Sequence, residues 1–221
     1  MDHNVRILHN GFITHDVRQF IVTRPDSFEY EPGQGVEIAL DLEGWREEGR
    51  PFTPTSLPDS PVLEFTIKGY PDRDGMTRRL HAAGHGTGLL MSGAFGTITY
   101  RGPGTFVAAG AGVTPFLAIL RRIEEPAERE ACTLLFTNRT PADVICDKEL
   151  RHLLKGRCHL TCTQRSAPGY GSRRIDRAYL EEKIDDLEQP FYVCGPPGFV
   201  EEIGTALEDM GAHSDRIVVE E

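Results

Sequence analysis

Residues 50–53 combine three kinds of side chain that a phosphorylated ligand with a flat ring requires. Arg50 offers a guanidinium for a phosphate, Phe52 offers a ring for stacking, and the Thr53 hydroxyl can bond a ring heteroatom. Pro51 stiffens the turn that carries them. The set suits a flavin. Taken alone, the segment could also be a surface arginine and a core phenylalanine beside a proline-rich turn.

A glycine-containing segment at 110–115 suits a dinucleotide. Gly110 and Gly112 follow an apolar run and precede a helical pattern, so the bare backbone can approach a pyrophosphate at the positive end of a helix. Thr114 opens the helix, and Pro115 fits its first turn. Pro115 also occupies the position of the third glycine of a G-x-G-x-x-G fingerprint. An ordinary turn from strand to helix therefore remains open for this segment.

Two further segments extend the pattern. Cys194, Gly195 and Pro196 form a tight turn after an apolar run near the C-terminus, and Gly75, Met76 and Thr77 begin a short helical pattern. The second offers a helix N-terminus for flavin phosphates, and its alternative is a simple capped helix with the Thr77 hydroxyl serving free backbone N–H groups. The order and spacing of the four segments are what a flavin site facing a nicotinamide site would need. A buried thiol such as Cys194 is otherwise usually a small hydrophobe.

Two hydrophobic patterns predict the secondary structure that positions these segments. Up to about residue 100, short alternating runs separated by Gly, Pro and Asp predict an antiparallel barrel or sandwich, with strands at 17–22, 35–40 and 62–67 and one helix at 76–83. After residue 103, apolar strands alternate with helices, which predicts a parallel sheet covered on both faces. The expected strands are 105–109, 132–136, 159–163, 191–194 and 217–219, and the expected helices are 114–124, 148–155, 178–184 and 197–210.

The chain is therefore expected to have two domains, a β-barrel flavin-binding domain at 1–103 and an α/β NAD(P)-binding domain at 104–221. The net charge of -10 disfavours nucleic acid as a partner. Five cysteines in no regular framework suggest reduced thiols, and they lack the spacing of a zinc site or an iron–sulfur cluster, so no metal is expected. No apolar run is long enough to cross a bilayer, and residues 1–6 do not resemble a secretory signal. These features predict a soluble, cytoplasmic protein of undetermined oligomeric state.

The motifs resemble those of the ferredoxin–NADP reductase-like flavoproteins, a family that includes flavodoxin reductases, cytochrome b5 reductases and flavin reductases. The similarity covers nearly the whole chain. The matching segments are Pro32-Gly33-Gln34, Arg50-x-Phe52-Thr53-x-x-Ser56, Gly75 to Leu80, Gly110-x-Gly112-x-Thr114-Pro115 and Cys194-Gly195-Pro196-Pro197. Phe52 stands where the family more often has Tyr. The chain also lacks a C-terminal aromatic residue that covers the flavin in plant-type members, and Glu220 and Glu221 are interpreted as a solvated tail.

The resemblance implies a role for each matching residue. Arg50 would bind the flavin phosphate, Phe52 would pack on the ring system, and Thr53 would bond flavin N5. Lys68 and Tyr70 match a K-x-Y of the cytochrome b5 reductase branch and would approach the nucleotide portion of the flavin. Thr53 and Cys194 would act at the reacting centre, and Gly75, Met76 and Thr77 would hold the flavin pyrophosphate. Thr114 and Cys194 would flank the nicotinamide near flavin N5, and Gly195 and Pro196 would shape the turn.

The choice between NADPH and NADH depends on cations near the 2′-phosphate. Arg139 follows the second strand of the distal domain, Arg165 follows the third, and Arg173 or Arg174 lies on the next connection. These side chains could converge at the carboxyl edge of the sheet, which favours NADPH slightly. Solvated loop arginines are the alternative.

The leading hypothesis is an FAD-dependent NAD(P)H oxidoreductase, with FMN as the alternative flavin. Hydride would pass from NAD(P)H to bound flavin, and electrons would then pass to an external acceptor such as ferredoxin or flavodoxin. Those carriers are acidic, so docking would need a basic patch, for which Arg73, Arg78, Arg79 and Arg101 are candidates. The rival hypotheses are a reductase of free flavin and a non-catalytic electron-transfer subunit of a larger complex.

Overall fold

The computed structural model describes residues 1–96, 98–165 and 167–220. The N-terminal half forms a six-stranded antiparallel sheet in the order β4-β3-β6-β1-β2-β5. Its strands are β1 (His3–Phe12), β2 (Val17–Thr23), β3 (Val36–Leu40), β4 (Arg50–Phe52), β5 (Val62–Lys68) and β6 (Gly88–Met91). A bridge between Pro54, just after β4, and Phe65 of β5 joins the two outer edges, so the sheet forms a nearly closed barrel.

Alternation of buried and exposed residues along these strands creates the barrel core. Phe20, Phe65 and Met91 point inward and are almost fully buried. Helix α1 (Met76–Ala82) covers the barrel with Met76 and Leu80 buried. Its N-cap is Gly75, and no side chain caps it, so the predicted capping role of the Thr77 hydroxyl is wrong.

The C-terminal half forms a five-stranded parallel sheet in the order β11-β10-β7-β8-β9. The strands are β7 (Thr105–Ala109), β8 (Thr133–Asn138), β9 (Cys158–Cys162), β10 (Phe191–Cys194) and β11 (Ile217–Val219). The helices are α2 (Thr114–Arg122), α3 (Pro126–Glu130), α4 (Asp147–Leu154), α5 (Arg177–Lys183) and α6 (Pro197–Met210). The predicted fold class, a barrel followed by a parallel α/β sheet, is confirmed.

Both faces of the parallel sheet are covered. Phe106 and Ala108 of β7 belong to one apolar cluster, and Val107 belongs to the other, because successive side chains of a strand point to opposite faces. Strand β7 lies between β8 and β10. Strands β8 and β9 are added on one side of β7, and β10 and β11 are added on the other, so the strand order reverses between β7 and β10. Open α/β sheets bind ligands outside the carboxyl ends of strands at such a reversal.

Over the described ranges, no helix combines the length and the apolar character needed to cross a bilayer.

Candidate functional site

A cleft of about 930 Å³ lies between the barrel and the parallel sheet. Its barrel side is formed by β4, by the end of β5 and by the segment that leads into α1, and its other side by the turns that follow β7, β8 and β10. The cleft therefore opens at the carboxyl ends of β7 and β10, where the sheet order reverses.

Most of the predicted site residues line this one cleft. Thr53 and Cys194, predicted at the reacting centre, both contribute to its wall. The other predicted residues that line it are Pro51, Phe52, Lys68, Tyr70, Thr77, Gly110, Gly112, Thr114, Arg139, Arg174, Gly195 and Pro196.

Five predicted residues do not line the cleft. Arg50 is exposed on β4, and its guanidinium donates to Gly49 O at 2.6 Å and lies 3.4 Å from Glu48 Oε2. Met76 and Pro115 have buried side chains, so only their backbone is available to a ligand. Gly75 and Arg165 lie outside the wall of the cleft. Binding roles for these five stay predictions.

Gly112 must be glycine because the backbone of β10 passes directly against it. A Cβ atom at this position would lie 2.3 Å from Cys194 O and 2.6 Å from Gly195 N. Gly110 has a φ of 55°, in the region that favours glycine. The two glycines thus let the turn after β7 and the turn after β10 meet at the floor of the cleft.

Thr53 follows β4 in a turn that hydrogen bonds hold in place. Thr55 N donates to Glu64 O at 2.7 Å, and the Thr55 hydroxyl donates to Glu64 Oε1 at 2.6 Å. Tyr30 OH donates to Ser56 O at 2.7 Å. Thr53 itself is 6% exposed, and its hydroxyl has no hydrogen-bond partner within the described ranges. A fixed turn therefore leaves one free hydroxyl at the wall of the cleft.

Lys68 is held by an acidic partner. Its ammonium lies 2.9 Å from Asp16 Oδ2, and both side chains are mostly buried. Burial alone would raise the pKa of Asp16, but the hydrogen bond and the charge of Lys68 outweigh burial and lower it. Lys68 therefore carries its charge at the cleft while already paired, which leaves less of that charge for a ligand phosphate.

Cys194 and Glu220 form a pair that sequence analysis missed. Cys194 Sγ donates to Glu220 Oε2 at 3.1 Å, and both residues line the cleft. Burial and the neighbouring carboxylate raise the pKa of the Cys194 thiol, which is therefore protonated at neutral pH. Glu220 is exposed, as the interpretation of a solvated tail expects, but that interpretation did not include its contact with Cys194; Glu221 lies outside the described residues.

Replacing Cys194 with alanine is expected to slow flavin reduction by nicotinamide nucleotide about tenfold, equivalent to about 1.4 kcal/mol of activation free energy. The thiol fills the wall of the cleft beside Gly195, and its loss frees Glu220 to move. Stopped-flow absorbance measures the rate. Cys158→Ala is the control, because Cys158 is an equally buried thiol on β9 outside the cleft. Equal rates for the two variants would remove Cys194 from the reaction.

Unpaired polar groups gather where β8 ends. Thr137 Oγ1 and Asn138 Nδ2 are buried without a hydrogen-bond partner among the described residues, and both residues line the cleft. Native proteins rarely leave buried polar atoms unsatisfied, so a bound ligand is the natural partner for them. Arg139 follows directly and forms no ion pair within the described ranges, whereas Arg174 pairs with Glu202. This end of the cleft offers donors to a ligand rich in acceptors.

Comparison with known proteins agrees with this geometry. Residues 106–204 match the oxidoreductase NAD-binding domain family. The chain is 29% identical over 226 residues to the glycine betaine monooxygenase reductase subunit of Chromohalobacter salexigens, covering 95% of the chain and 61% of that protein. It is 28% identical over 213 residues to the naphthalene 1,2-dioxygenase system ferredoxin–NAD(P)+ reductase component of Pseudomonas putida, covering 92% and 64%. The chain thus spans less than two thirds of the length of these relatives.

Solved structures share the fold across the whole chain. A ferredoxin NADP+ reductase from Neisseria gonorrhoeae with bound FAD and NADP superposes with a TM-score of 0.84 at 22% identity, covering 98% of this chain and 97% of that one. The CS-b5R domains of human Ncb5or superpose with a TM-score of 0.86 at 24% identity, covering 98% and 68%. The sequence matches make the chain similar to reductases with an oxidoreductase NAD-binding domain, and the structural matches show that it shares the two-domain fold of the ferredoxin–NADP reductase-like proteins.

Proposed function

We propose that the chain is a flavin-dependent NAD(P)H oxidoreductase that passes electrons to a separate redox protein. The observation that carries the proposal is the single cleft in which the Thr53 turn of the barrel faces the Gly112 and Cys194 turns of the parallel sheet. Residues 1–103 would supply the flavin side, and residues 104–221 the nucleotide side. The related proteins named above as reductase components support this assignment.

The barrel side of the cleft fits a flavin, and FAD in particular. The free Thr53 hydroxyl can bond a ring heteroatom, and Phe52 is half-buried beside it. Tyr70 is 39% exposed with the Arg73 guanidinium 5.1 Å from its ring centroid, an arrangement that can stack on the nucleotide portion of FAD. A bound flavin supplies the hydride-accepting ring, and the residues of the chain orient it and exclude water.

The opposite side of the cleft fits a nicotinamide dinucleotide. Gly110 and Gly112 leave the backbone bare where α2 begins. The Thr137 hydroxyl and the Asn138 amide nitrogen, which are unsatisfied among the described residues, can donate hydrogen bonds to a ligand. Arg139 lines this end without an ion-pair partner among the described residues, and exposed Arg174 also lines it. These cations favour NADPH over NADH. The adjacent turn at Cys194, Gly195 and Pro196 would hold the nicotinamide close to the flavin.

The electron acceptor is proposed to be an external redox protein, and an acidic ferredoxin or flavodoxin would need a basic docking patch. The contacts of the four arginines suggested for that patch give it little support. Arg79 lies 4.3 Å above the Trp45 ring, and Arg73 covers Tyr70. Arg78 lies 4.0 Å from Asp74 Oδ1, and the Arg101 guanidinium donates to Asp215 O at 2.7 Å, beside the start of β11. They are therefore engaged separately, on both halves of the chain.

The absorbance spectrum of the purified protein tests the proposal, together with chromatography of the cofactor released on denaturation. We expect a yellow protein that releases FAD and that oxidises NADPH with a higher kcat/KM than NADH. A colourless protein that still reduces added flavin would favour the free-flavin reductase. A flavin-loaded chain that does not oxidise either nucleotide would favour the non-catalytic subunit.

A further inference from the structure

A second, smaller cavity of about 390 Å³ lies beside the cleft. Pro51 and Glu220 line both cavities, so the two adjoin at the segment that carries the proposed flavin motif. Phe95, Glu37 and three glycines complete the wall. The cavity therefore adjoins the cleft on the side of Pro51, next to the segment that carries the proposed flavin motif.

Phe95 presents an apolar ring at this surface. It is 45% exposed, and its backbone is fixed by reciprocal hydrogen bonds with Gly35, one of 2.6 Å and one of 2.8 Å. Leu42, in the connection that leads to β4, is 49% exposed. Exposed aromatic rings on a fixed backbone lose little entropy when a partner covers them, and they often form the centre of an interface.

Carboxylates lie on the segments next to the ring. Glu37 lines the same cavity as Phe95, and it is the cross-strand partner of Pro51, so the Glu37 and Pro51 side chains lie on the same face of the sheet. Glu31 begins the turn that leads to Gly35, and Glu47 lies in the connection between β3 and β4. All three are exposed, and none of them forms an ion pair within the described ranges.

The cations of this region are already neutralised. The Arg46 guanidinium lies 2.7 Å from Asp41 Oδ1, and that of Arg50 lies 3.4 Å from Glu48 Oε2. The exposed residues Glu31, Glu37, Glu47 and Phe95, hereafter the acidic surface, therefore combine unpaired negative charge with an exposed aromatic ring. A carrier protein with an acidic face would be repelled from it, and a basic one would be attracted.

We propose that the electron acceptor docks on the acidic surface and is a redox protein whose face around its own prosthetic group is positively charged. This inference rests on the proposed function and deepens it, because the surface adjoins the proposed flavin motif at Pro51. The charge of the surface argues against acidic ferredoxins and flavodoxins as partners. Opposite charges would raise the rate of encounter and would be screened by salt.

Anaerobic reduction of mitochondrial cytochrome c, a strongly basic haem protein, tests the inference with the flavin-loaded full chain. We expect kcat/KM for cytochrome c to fall about tenfold between 20 and 300 mM salt. An acidic [2Fe–2S] ferredoxin should be reduced more slowly than cytochrome c at low salt, and its kcat/KM should rise when salt is added. Reduction of menadione, a small neutral acceptor, reports the proposed oxidoreductase activity separately.

The double variant Glu31→Gln with Glu47→Gln removes two charges from the acidic surface without touching either cavity. We expect it to lower kcat/KM for cytochrome c at low salt about fivefold and to leave menadione reduction unchanged. Glu201→Gln with Glu208→Gln is the matched control, since it removes two exposed charges from α6.

Absence of menadione reduction in the wild-type chain would contradict the proposed function itself. Normal menadione reduction with salt-independent cytochrome c reduction, or with equal losses in the two double variants, would overturn the docking inference.

Discussion

The Gly112→Ala variant is expected to lose nicotinamide nucleotide binding while it keeps its flavin. The added Cβ would lie 2.3 Å from Cys194 O, 2.5 Å from Cys194 C and 2.6 Å from Gly195 N. All three are backbone atoms, which cannot rotate away as a side chain can. The turns after β7 and β10 must therefore separate, and those turns form the nucleotide side of the cleft. We expect the Kd for NADP⁺ to rise about 100-fold, equivalent to about 2.7 kcal/mol.

Titration of the oxidised, flavin-loaded protein with NADP⁺, followed by difference absorbance, measures this loss. Gly198→Ala is a matched control, because a Cβ at Gly198 in α6 meets nothing within 4 Å. It should bind nucleotide as the wild type does. Nucleotide affinity that survives in Gly112→Ala would mean that the nucleotide does not use the turn after β7.

The Arg121→Ala variant is expected to lower both stability and the rate of flavin reduction. Arg121 lies on α2, and its guanidinium bonds the barrel at Thr55 O (2.5 Å) and Glu64 Oε1 (2.7 Å). It also bonds both oxygens of Glu149 on α4, at 2.6 and 2.9 Å. The Arg121 and Glu64 side chains are only 19% and 17% exposed. One side chain therefore ties the barrel to the parallel sheet through a mostly buried network.

Removing Arg121 leaves two carboxylates without a cation. Breaking a fully buried ion pair costs about 3–5 kcal/mol, and the partial exposure of Glu149 lowers this, so we expect a loss of about 2–3 kcal/mol in the free energy of unfolding. Chemical denaturation measures it. Arg122→Ala is the control, because Arg122 pairs with exposed Glu124, and its loss should change stability by less than about 0.5 kcal/mol. Equal losses in both variants would mean that the Arg121 network does not stabilise the fold.

Arg121 should also affect the reaction, since it connects two elements of the cleft. Helix α2 begins directly after the turn at Gly112, and Thr55 follows Thr53 by two residues. Loss of the tie lets these segments shift relative to each other, and small misplacements of reacting groups slow reactions strongly. We expect flavin reduction at saturating NADPH to slow at least about tenfold, with a weaker charge-transfer absorbance band on mixing. A purely stabilising role would leave that band and rate unchanged below the melting temperature.

The same network adds a dependence on pH. The hydrogen bond and charge of Arg121 lower the pKa of Glu149 below its usual range, despite burial that acts in the opposite direction. A carboxyl with a lowered pKa contributes stability above its unfolded-state pKa and loses it as the pH falls through the folded-state pKa. The wild type should therefore lose more stability than Arg121→Ala on acidification below about pH 5.

Sequence alone predicts the parallel half of the fold well. The strands at 105–109, 191–194 and 217–219 and the helix at 197–210 have the predicted bounds, because continuous apolar runs there end at Gly, Pro or charged residues. The barrel is predicted less completely. β1 is missed because His, Asn and Arg interrupt its pattern, and β4 and β6 are missed because they have only three and four residues. Their pairing with neighbouring strands decides their structure, and no local pattern encodes that pairing.

Some residues of the candidate site can be predicted from the sequence, and others cannot. Motifs with fixed local geometry, such as Gly110 and Gly112, can be recognised in sequence because backbone conformation and close approach demand glycine. Glu220 and Arg121 cannot, because their roles come from partners that are distant in the chain. Glu220 meets Cys194 across 26 positions, and Arg121 meets Glu64 across 57. Only the folded chain brings these groups together.

Anaerobic mixing of the flavin-loaded protein with one equivalent of NADPH tests the central claim most directly, namely that the cleft holds flavin and nicotinamide together. The absorbance of oxidised flavin should disappear in a single first-order step, with no other protein present, and Gly112→Ala should lack that step at the same nucleotide concentration. Flavin that stays oxidised in the wild type while nucleotide is bound would contradict the account.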